Sequence, residues 1–283
     1  MRILQKYKLI AKGNKAINIG VGLGDSEFHN QKILTASLRF VKEFNSTVFL
    51  FGKTDDLRKI LDEKINSQVG VVECNLPEKS IIEFLMKDTI QAIVRGSLSS
   101  NNFLTYLKID LNVRDFNRLA VMETFEKHQF FYGPVGIDEC ANLEKKILFL
   151  ESSLKELQKI EIEPIISILS GGRSGDIGRD IKVDQSIQEA DKIIKIMKEK
   201  YPNIQISHDE ILIEKAIENK SNLIMAPDGI SGNLIYRTLV HLGGGKAYGA
   251  IYMGVPKTII DTSRVGSQSE IYGALVLALA LSK

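Results

Sequence analysis

The sequence has no tryptophan and only two cysteines among its 283 residues. Cys74 and Cys140 lie far apart, and no further cysteine or histidine stands close enough to either one to suggest a zinc site. The four histidines are scattered along the chain. We therefore expect no metal site. The scarcity of cysteine favours a reducing, cytoplasmic location.

An excess of charge of one sign is also missing. The chain carries 37 Lys and Arg residues against 35 Asp and Glu residues. A general nucleic-acid-binding protein would be expected to show a strongly basic balance. We therefore expect no nucleic acid partner, and any attraction for an anionic small molecule must be local.

No apolar run is long enough to cross a membrane. The longest one extends from Ile271 to Leu281, about half of the roughly 20 residues that a membrane-spanning helix needs. The first residues, MRILQKYKLIAKGNK, lack the apolar core of a secretory signal. We expect no membrane association, and we interpret the apolar run as a buried helix.

Short β-type runs alternate with segments of helical periodicity through most of the chain. Runs of this kind occupy residues 15–21, 47–52, 69–74, 90–96, 165–170, 203–207, 222–227, 247–253 and 257–261. This alternation predicts an α/β fold with mainly parallel sheets between two helical layers, a three-layer αβα arrangement. The alternation breaks at residues 117–136, which look like two consecutive extended pieces. We predict one domain from residues 1–132 with 252–283 and a second from residues 133–251.

The stretch MAPDGISGN, residues 225–233, lies between a predicted strand and a predicted helix. Small residues such as Gly232 let the backbone approach a ligand, and the first N–H groups of the helix favour an anion. Asp228 and Asn233 add directional polar groups. The alternative is that these polar residues only form the turn and cap the helix.

A second glycine-rich loop, SGGRSGDIGRD at residues 170–180, also follows a predicted strand. Arg173 and Ser174 beside flexible backbone suit a phosphate or carboxylate, because arginine offers a planar pair of donors. No GK[ST] follows, so this is not a Walker A loop. A solvated loop without a ligand is the alternative.

The segment IIDTSRVGSQSE, residues 259–270, places Ser263 and Arg264 at the carboxyl end of a predicted strand. In open α/β sheets this is the usual position of a ligand crevice. A hydroxyl beside a guanidinium can orient a reacting group and offset developing negative charge. Ser267 and Glu270 have the spacing of a capping box, which favours a helix cap at Glu270.

Several segments, in order along the chain, resemble the phosphate acetyltransferase/butyryltransferase family. They are AIVRGSLSSNNFL (92–104), PIISILS (164–170), APDGISGNLIYRTL (226–239) and GAIYMGVPKTIIDTSR (249–264). The resemblance implies an isocitrate/isopropylmalate-dehydrogenase-like fold with two domains, an interdomain cleft and a homodimer. It also implies that coenzyme A, as a substrate, meets the acyl group and phosphate at the catalytic Ser263 and Arg264.

The resemblance extends to further substrate-binding positions. Those implied by the matching segments are Gly96, Ser97, Asp228, Gly232 and Asn233, beside Arg173 and Ser174 of the glycine-rich loop. The chain departs from the family after Ser-Arg, where an Asp is usual. Here Gly266 takes that place, and Glu270 is the only close carboxylate.

The SRVGS segment and the loop at 170–180 look most like a divergent group of proteins from archaeal methanogens. This group is called MtxX and is a methanogenesis marker regarded as methyltransferase-related. Two functions therefore stay open. The first is an acyltransferase that binds an anionic substrate in the cleft. The second is a methyl-transfer enzyme or a non-catalytic accessory protein with methyltransferase subunits as partners. A metal- and nicotinamide-dependent dehydrogenase would need clustered Asp or His ligands, which the sequence does not offer.

Overall fold

A computed structural model describes residues 1–60 and 67–282 of the chain. They form two compact units. Unit 1 consists of Met1–Phe116 with Ala247–Lys283, and unit 2 consists of Asn117–Lys246. Each unit is an α/β structure of its own.

The strands and helices follow one another along the chain. The strands are β1 (Asn18–Gly22), β2 (Thr47–Gly52), β3 (Val69–Glu73), β4 (Ala92–Val94), β5 (Asn117–Glu123), β6 (Gln129–Gly133), β7 (Ile165–Leu169), β8 (Gln205–Glu210), β9 (Leu223–Met225), β10 (Lys246–Met253) and β11 (Thr258–Asp261). The helices are α1 (Ile3–Gly13), α2 (Glu27–Glu43), α3 (Thr54–Arg58), α4 (Pro77–Met86), α5 (Ser100–Leu111), α6 (Leu143–Lys159), α7 (Ile181–Lys200), α8 (Ile213–Glu218), α9 (Gly229–His241) and α10 (Gln268–Leu281).

The strands of unit 1 lie in the order β3-β2-β1-β4-β11-β10. The first five are parallel to their neighbours, and only β10 runs antiparallel, against β11. In unit 2 the order is β5-β6-β9-β7-β8, with one antiparallel pair between β5 and β6. The predicted α/β fold with mainly parallel sheets is confirmed.

Helices cover both faces of the unit 1 sheet. On one face α4 and α5 bring Ile81, Leu85 and Phe103 onto the strand residues Phe51 and Ile93. Helix α10 packs against α1 and α2 and against β4 and β11. Its residues from Ile271 to Ala280 are all buried, so the predicted buried helix is confirmed. A helix that is apolar on every side is stable only when it is surrounded in this way.

Two features differ from the sequence-based expectations. The units divide after Phe116 and after Lys246, whereas the sequence places the domain boundaries after residues 132 and 251. The β5-β6 hairpin lies in unit 2 because β6 is hydrogen-bonded to β9. The helices α1, α3 and α5 are additional to the predicted elements, although α1 and α5 both carry apolar residues at helical spacing.

Candidate functional site

A cavity of about 350 Å³ lies at the carboxyl edge of the unit 1 sheet. The segments that follow β1, β2, β3, β4 and β11 all contribute to it, because the carboxyl ends of adjacent parallel strands meet at one edge. The lining residues include Leu23–Ser26, Lys53, Asp56, Asn75–Glu78, Ser97–Ser99, Asn102 and Arg264. The fold thus brings Ser97 and Arg264, two of the predicted site residues, to the same cavity.

Three longer helices begin at this cavity. The residues that precede their first turns are Ser26 for α2, Leu76 for α4 and Ser99 for α5, and all three line the cavity. None of these three residues makes a side-chain capping hydrogen bond within the described chain. The first N–H groups of a helix carry partial positive charge and lack intrahelical partners. Their convergence makes this edge of the sheet favourable for an anion.

The charged side chains at the cavity differ in whether they already form an ion pair. Lys53 Nζ lies 3.9 Å from Asp25 Oδ1, and Asp56 Oδ1 lies 3.8 Å from Lys59 Nζ. Arg264 is exposed and makes no ion pair with any residue that the structure describes. Arg264 is therefore the cation at the cavity that can pair with an added anion.

The backbone before Arg264 is held by a carboxylate. The Ser263 N–H donates to Glu270 Oε1 at 2.7 Å. Ser267 precedes α10 and its hydroxyl accepts from the Glu270 N–H at 3.2 Å, so the Ser267 half of the predicted capping box is present. The Glu270 side chain, only 1% exposed, reaches back to Ser263. Sequence spacing alone gave Glu270 only a capping role and missed this contact.

Gly266 lies directly beside the same carboxylate. A Cβ atom at this position would be 2.8 Å from Glu270 Oε2 and 2.9 Å from the Ser263 carbonyl oxygen. A larger residue at 266 would therefore displace Glu270. In this chain Glu270, in the first turn of α10, supplies the carboxylate that contacts the Ser263–Arg264 loop.

A buried arginine ties two of the cavity loops together. Arg95, 5% exposed, pairs with Asp261 and donates to the carbonyl oxygens of Leu98, at 2.5 Å, and Thr262. The Thr262 hydroxyl donates to the Gly96 carbonyl oxygen at 2.9 Å. These bonds join the exit of β4 to the exit of β11, which leads into Ser263 and Arg264.

Gly96 itself lies at a close backbone approach. Its φ angle is +64°, and a Cβ atom there would be 2.1 Å from the Gly22 carbonyl oxygen. Only glycine satisfies both conditions. The structure therefore gives Gly96 a clear reason to be glycine in the packing of the β1 and β4 loops, and its contact with a substrate stays a prediction.

The residues predicted on the 225–233 stretch lie in unit 2, at the start of α9. Asp228 accepts hydrogen bonds from the N–H groups of Ile230 at 2.9 Å and Ser231 at 2.8 Å, as a helix cap does. Asn233 Nδ2 donates to the Val135 carbonyl oxygen at 2.8 Å. A Cβ atom on Gly232 would be 2.0 Å from the Pro134 carbonyl oxygen. Asp228 thus caps α9, and Gly232 and Asn233 hold α9 against the segment after β6. A direct role in substrate binding stays a prediction for each.

The loop at 170–180, also in unit 2, follows β7 and is largely exposed. Its donors contact carboxylates: Arg173 N–H bonds to Asp176 Oδ2 at 2.9 Å, and the Ser174 N–H and hydroxyl bond to Glu210 Oε1 at 2.9 and 2.6 Å. The backbone hydrogen bond from Arg173 lowers the pKa of Asp176, and a side-chain hydrogen bond from Arg179 lowers it further. The hydrogen bonds from Ser174 lower the pKa of Glu210. The Arg173 guanidinium is exposed, and its contact with an anion stays a prediction.

At the start of this loop, Ser170, His208 and Asp191 form a chain of hydrogen bonds. His208 Nε2 lies 2.8 Å from Ser170 Oγ, and Nδ1 lies 2.9 Å from Asp191 Oδ1. The spacing is that of a nucleophile, a base and an orienting acid. However, Ser170 is only 1% exposed and its hydroxyl donates to the Gly172 carbonyl oxygen. We interpret the three residues as a clamp on the loop.

Within residues 1–60 and 67–282, no three His, Cys, Asp or Glu side chains come together as metal ligands would. In the same part of the chain, every helix is too short or too polar to cross a bilayer.

The chain is similar to several known proteins. The profile of the family described as "Phosphate acetyl/butaryl transferase" matches residues 87–279. A protein of Methanosarcina barkeri named "Putative methyltransferase mtx subunit X" is 36% identical over 272 residues, 96% of this chain and 95% of that protein. The methanogen resemblance seen in the sequence is thereby confirmed.

Solved structures share the fold. A phosphotransacetylase from Streptococcus pyogenes matches with a TM-score of 0.67 and 16% identity, covering 99% of this chain and 98% of its own. A 4-hydroxythreonine-4-phosphate dehydrogenase from Klebsiella pneumoniae matches with a TM-score of 0.62 and 12% identity, covering 94% of this chain and 99% of its own. The predicted dehydrogenase-like fold class is confirmed, and at these identities the likeness concerns the fold alone.

Proposed function

The chain belongs to the phosphate acetyl/butaryl transferase family and, within it, to a divergent group of methanogen proteins, and from this premise we propose that it is an acyltransferase. The reaction would move an acyl group between the thiol of coenzyme A and phosphate or a related anion. Coenzyme A enters as a substrate of the reaction. The acyl acceptor and the length of the acyl chain are the parts left to experiment.

One observation carries the proposal: Arg264 lies free of ion pairs with described residues at a cavity where α2, α4 and α5 begin. The guanidinium and the helix N–H groups together would offset the charge of a phosphate. The cavity volume of about 350 Å³ is near the lower limit of small-molecule sites. This size suits a phosphate with a short acyl chain better than a whole coenzyme A molecule.

Three residues, two after β11 and one at the start of α10, have a role in the proposed reaction. When the thiolate of coenzyme A attacks the carbonyl carbon of an acyl phosphate, negative charge grows on the carbonyl oxygen and then on the leaving phosphate. Arg264 would stabilise that charge, and the Ser263 hydroxyl would hydrogen-bond the reacting group. Glu270 holds the Ser263 backbone through its N–H, which keeps the Ser-Arg pair in place.

The direct test is to mix the purified protein with phosphate and acetyl- or butyryl-coenzyme A and to follow thiol release. We expect turnover by the natural protein. Arg264→Gln should lower kcat/KM roughly 100-fold, the usual effect of removing one group that stabilises an oxyanion. Ser263→Ala should give a smaller loss.

Arg114→Gln is the matched control, because Arg114 is another exposed arginine of unit 1 that does not line the cavity. It should leave kcat/KM unchanged. If Arg264→Gln also leaves the rate unchanged, Arg264 has no part in the reaction. If the natural protein neither turns over nor gains thermal stability with phosphate or acyl-coenzyme A, the acyltransferase proposal is wrong.

The shared name of the methanogen relatives supports a second candidate, a methyltransferase-related protein that acts as a transfer enzyme or as an accessory subunit. The loss of the usual family Asp at Gly266 also favours it. Co-purification with methyltransferase subunits, together with absent acyl turnover, would decide for this function. Sedimentation of the purified chain would test the homodimer that the family resemblance implies.

A further inference from the structure

Two loops that line the unit 1 cavity are joined by a closed ring of three hydrogen bonds. The Gly24 N–H donates to Ser97 Oγ at 2.8 Å, the Ser97 hydroxyl donates to Asn30 Oδ1 at 2.8 Å, and Asn30 Nδ2 donates to the Gly24 carbonyl oxygen at 2.7 Å. Gly24 belongs to the loop after β1 and Ser97 to the loop after β4. Asn30 lies in the first turns of α2.

The direction of each bond follows from the chemistry of the groups. A backbone N–H can only donate, so Ser97 Oγ accepts from Gly24 and its single proton is left for another partner. The Asn30 amide oxygen accepts a hydrogen bond through that proton. The amide nitrogen therefore points towards the Gly24 carbonyl oxygen. Every donor in the ring therefore has one acceptor, and the orientation of the Asn30 amide is fixed.

The ring is shielded from water. Asn30 is 0% exposed and Ser97 is 3% exposed. Hydrogen bonds of buried polar groups are costly to lose, because no water replaces the missing partner. Removing either side chain therefore leaves the remaining donors and acceptors of the ring without a hydrogen-bond partner.

The two loops also approach each other too closely for larger residues. A Cβ atom on Gly24 would be 2.4 Å from the Ser97 carbonyl oxygen, and one on Gly22 would be 2.8 Å from the Arg95 carbonyl oxygen. The backbones are thus in direct contact, and a small shift of either loop would change the wall of the cavity. The ring of hydrogen bonds, formed through two side chains, sets the separation of the two loops.

We propose that Asn30 is a positioning residue for the cavity and that it acts through Ser97. Asn30 connects the start of α2, the β1 loop and the β4 loop, all of which border the cavity. Ser97 then serves as the link between the two loops rather than as a direct substrate contact. The part of this inference that concerns a ligand rests on the proposed function, whereas the part that concerns the loops does not.

The first experiment measures the loops without any ligand. Amide hydrogen exchange at Gly24, followed by NMR in the full chain, reports the bond to Ser97 Oγ. In Asn30→Ala we expect Gly24 to exchange at least 10-fold faster, although the Ser97 hydroxyl is still present. Unchanged exchange at Gly24 would overturn the proposal.

Further variants serve as controls for this measurement. Ser97→Ala removes the acceptor itself and should give the upper limit of the acceleration, and Asn30→Ser, whose shorter side chain cannot bridge Ser97 and Gly24, replaces Asn30→Ala if that variant fails to fold. Asn101→Ala is the matched control, because Asn101 is an exposed asparagine on α5, outside the ring. It should leave Gly24 exchange unchanged.

The second experiment is a double-mutant cycle on kcat/KM for acyl transfer, with acetyl-coenzyme A and phosphate as the probes. If Asn30 acts through Ser97, the single variants and the double variant should all lose a similar factor, roughly 10-fold, since residues acting through one network are not additive. If the losses multiply, Ser97 contacts the substrate independently of Asn30 and the proposal is wrong. A natural protein without turnover would contradict the proposed function alone, because Gly24 exchange still decides the role of Asn30.

Discussion

Two regions of this chain combine glycine and arginine after parallel strands, and they differ in how many of their hydrogen-bond donors carboxylates already accept. In unit 1 the buried Arg95 bonds to Asp261 and to backbone carbonyls beneath the loops, and Arg264 faces the cavity. In unit 2 the backbone N–H groups of Arg173 and Ser174 and the Ser174 hydroxyl already donate to Asp176 or Glu210. Arg264 is thus left without an ion pair among the described residues, whereas carboxylates already accept several donors of the unit 2 loop.

The two regions should also differ in what their charges contribute to folding. A buried charge that loses its partner destabilises a protein strongly, whereas an exposed ion pair contributes little. Arg95 and Asp261 are both buried, whereas Arg179 is exposed. Substitutions at matched positions can therefore test the comparison directly.

The largest expected effect is that of Arg95→Met. It leaves Asp261 buried without its cation and cuts the bonds to Leu98 and Thr262, so we expect a loss of about 3–5 kcal/mol in the free energy of unfolding. Urea denaturation measures it. Arg179→Met in the exposed loop is the control and should leave the transition midpoint in place. Equal losses in both variants would remove the distinction between the two regions.

The next effect compares two glycines with positive φ angles. Gly96 has φ +64° and no room for a Cβ atom, whereas Gly178 in the unit 2 loop has φ +91° and nothing within 4 Å of such an atom. Gly178→Ala should cost about 1–2 kcal/mol through backbone strain alone. Gly96→Ala adds a clash with the Gly22 carbonyl oxygen, and we expect about 3 kcal/mol or more. Thermal unfolding of both variants checks the order, and a reversed order would contradict it.

The strands of unit 1 were predictable because their apolar, β-branched runs end in glycine or polar residues. The observed β2, Thr47–Gly52, coincides with the predicted run, and the buried α10 followed from an apolar stretch with no polar face. The cavity was predictable only in part. Arg264 and Ser97 were identified by their place after strands or by family resemblance.

The partners of these residues could not be found from the sequence. Asn30 is 67 residues from Ser97, and Arg95 is 166 residues from Asp261. Such pairs form only when the sheet brings separate strand ends together, and no local spacing signals them. Glu270 shows the same limit, since its spacing from Ser267 fits a cap while its carboxylate bonds to Ser263.

The response to acid should also separate the two regions. The lowered pKa values of Asp176 and Glu210 mean that their ionised forms stabilise the loop at 170–180. This contribution is complete above the ordinary values of 3.8 and 4.5 and is lost as the pH falls through the lowered values. Amide exchange at Arg173 and Ser174, corrected for the intrinsic rate, should therefore rise below about pH 4.

Asp176→Asn supplies the control for this titration. Its side chain has no proton to gain in this range and its amide oxygen can still accept from Arg173, so exchange at Arg173 should change less with pH. Gly24 in unit 1 should keep its protection over the same range as long as the chain stays folded, because its bonds go to Ser97 and Asn30. Loss of protection at Gly24 and Ser174 at the same pH would indicate global unfolding and would contradict a local effect.

The smallest expected effect is that of Arg173→Gln on ligand binding. With phosphate or acetyl-coenzyme A at about 100 times its dissociation constant, the natural protein should gain about 2.7 kcal/mol of apparent stability. Arg264→Gln should lose most of that gain, since it removes the unpaired cation of the cavity. Arg173→Gln should lose little, because nearby carboxylates already offset the positive charge of its loop. If Arg173→Gln abolishes the gain while Arg264→Gln retains it, the anion is held by the unit 2 loop, and the two regions exchange the roles proposed for them.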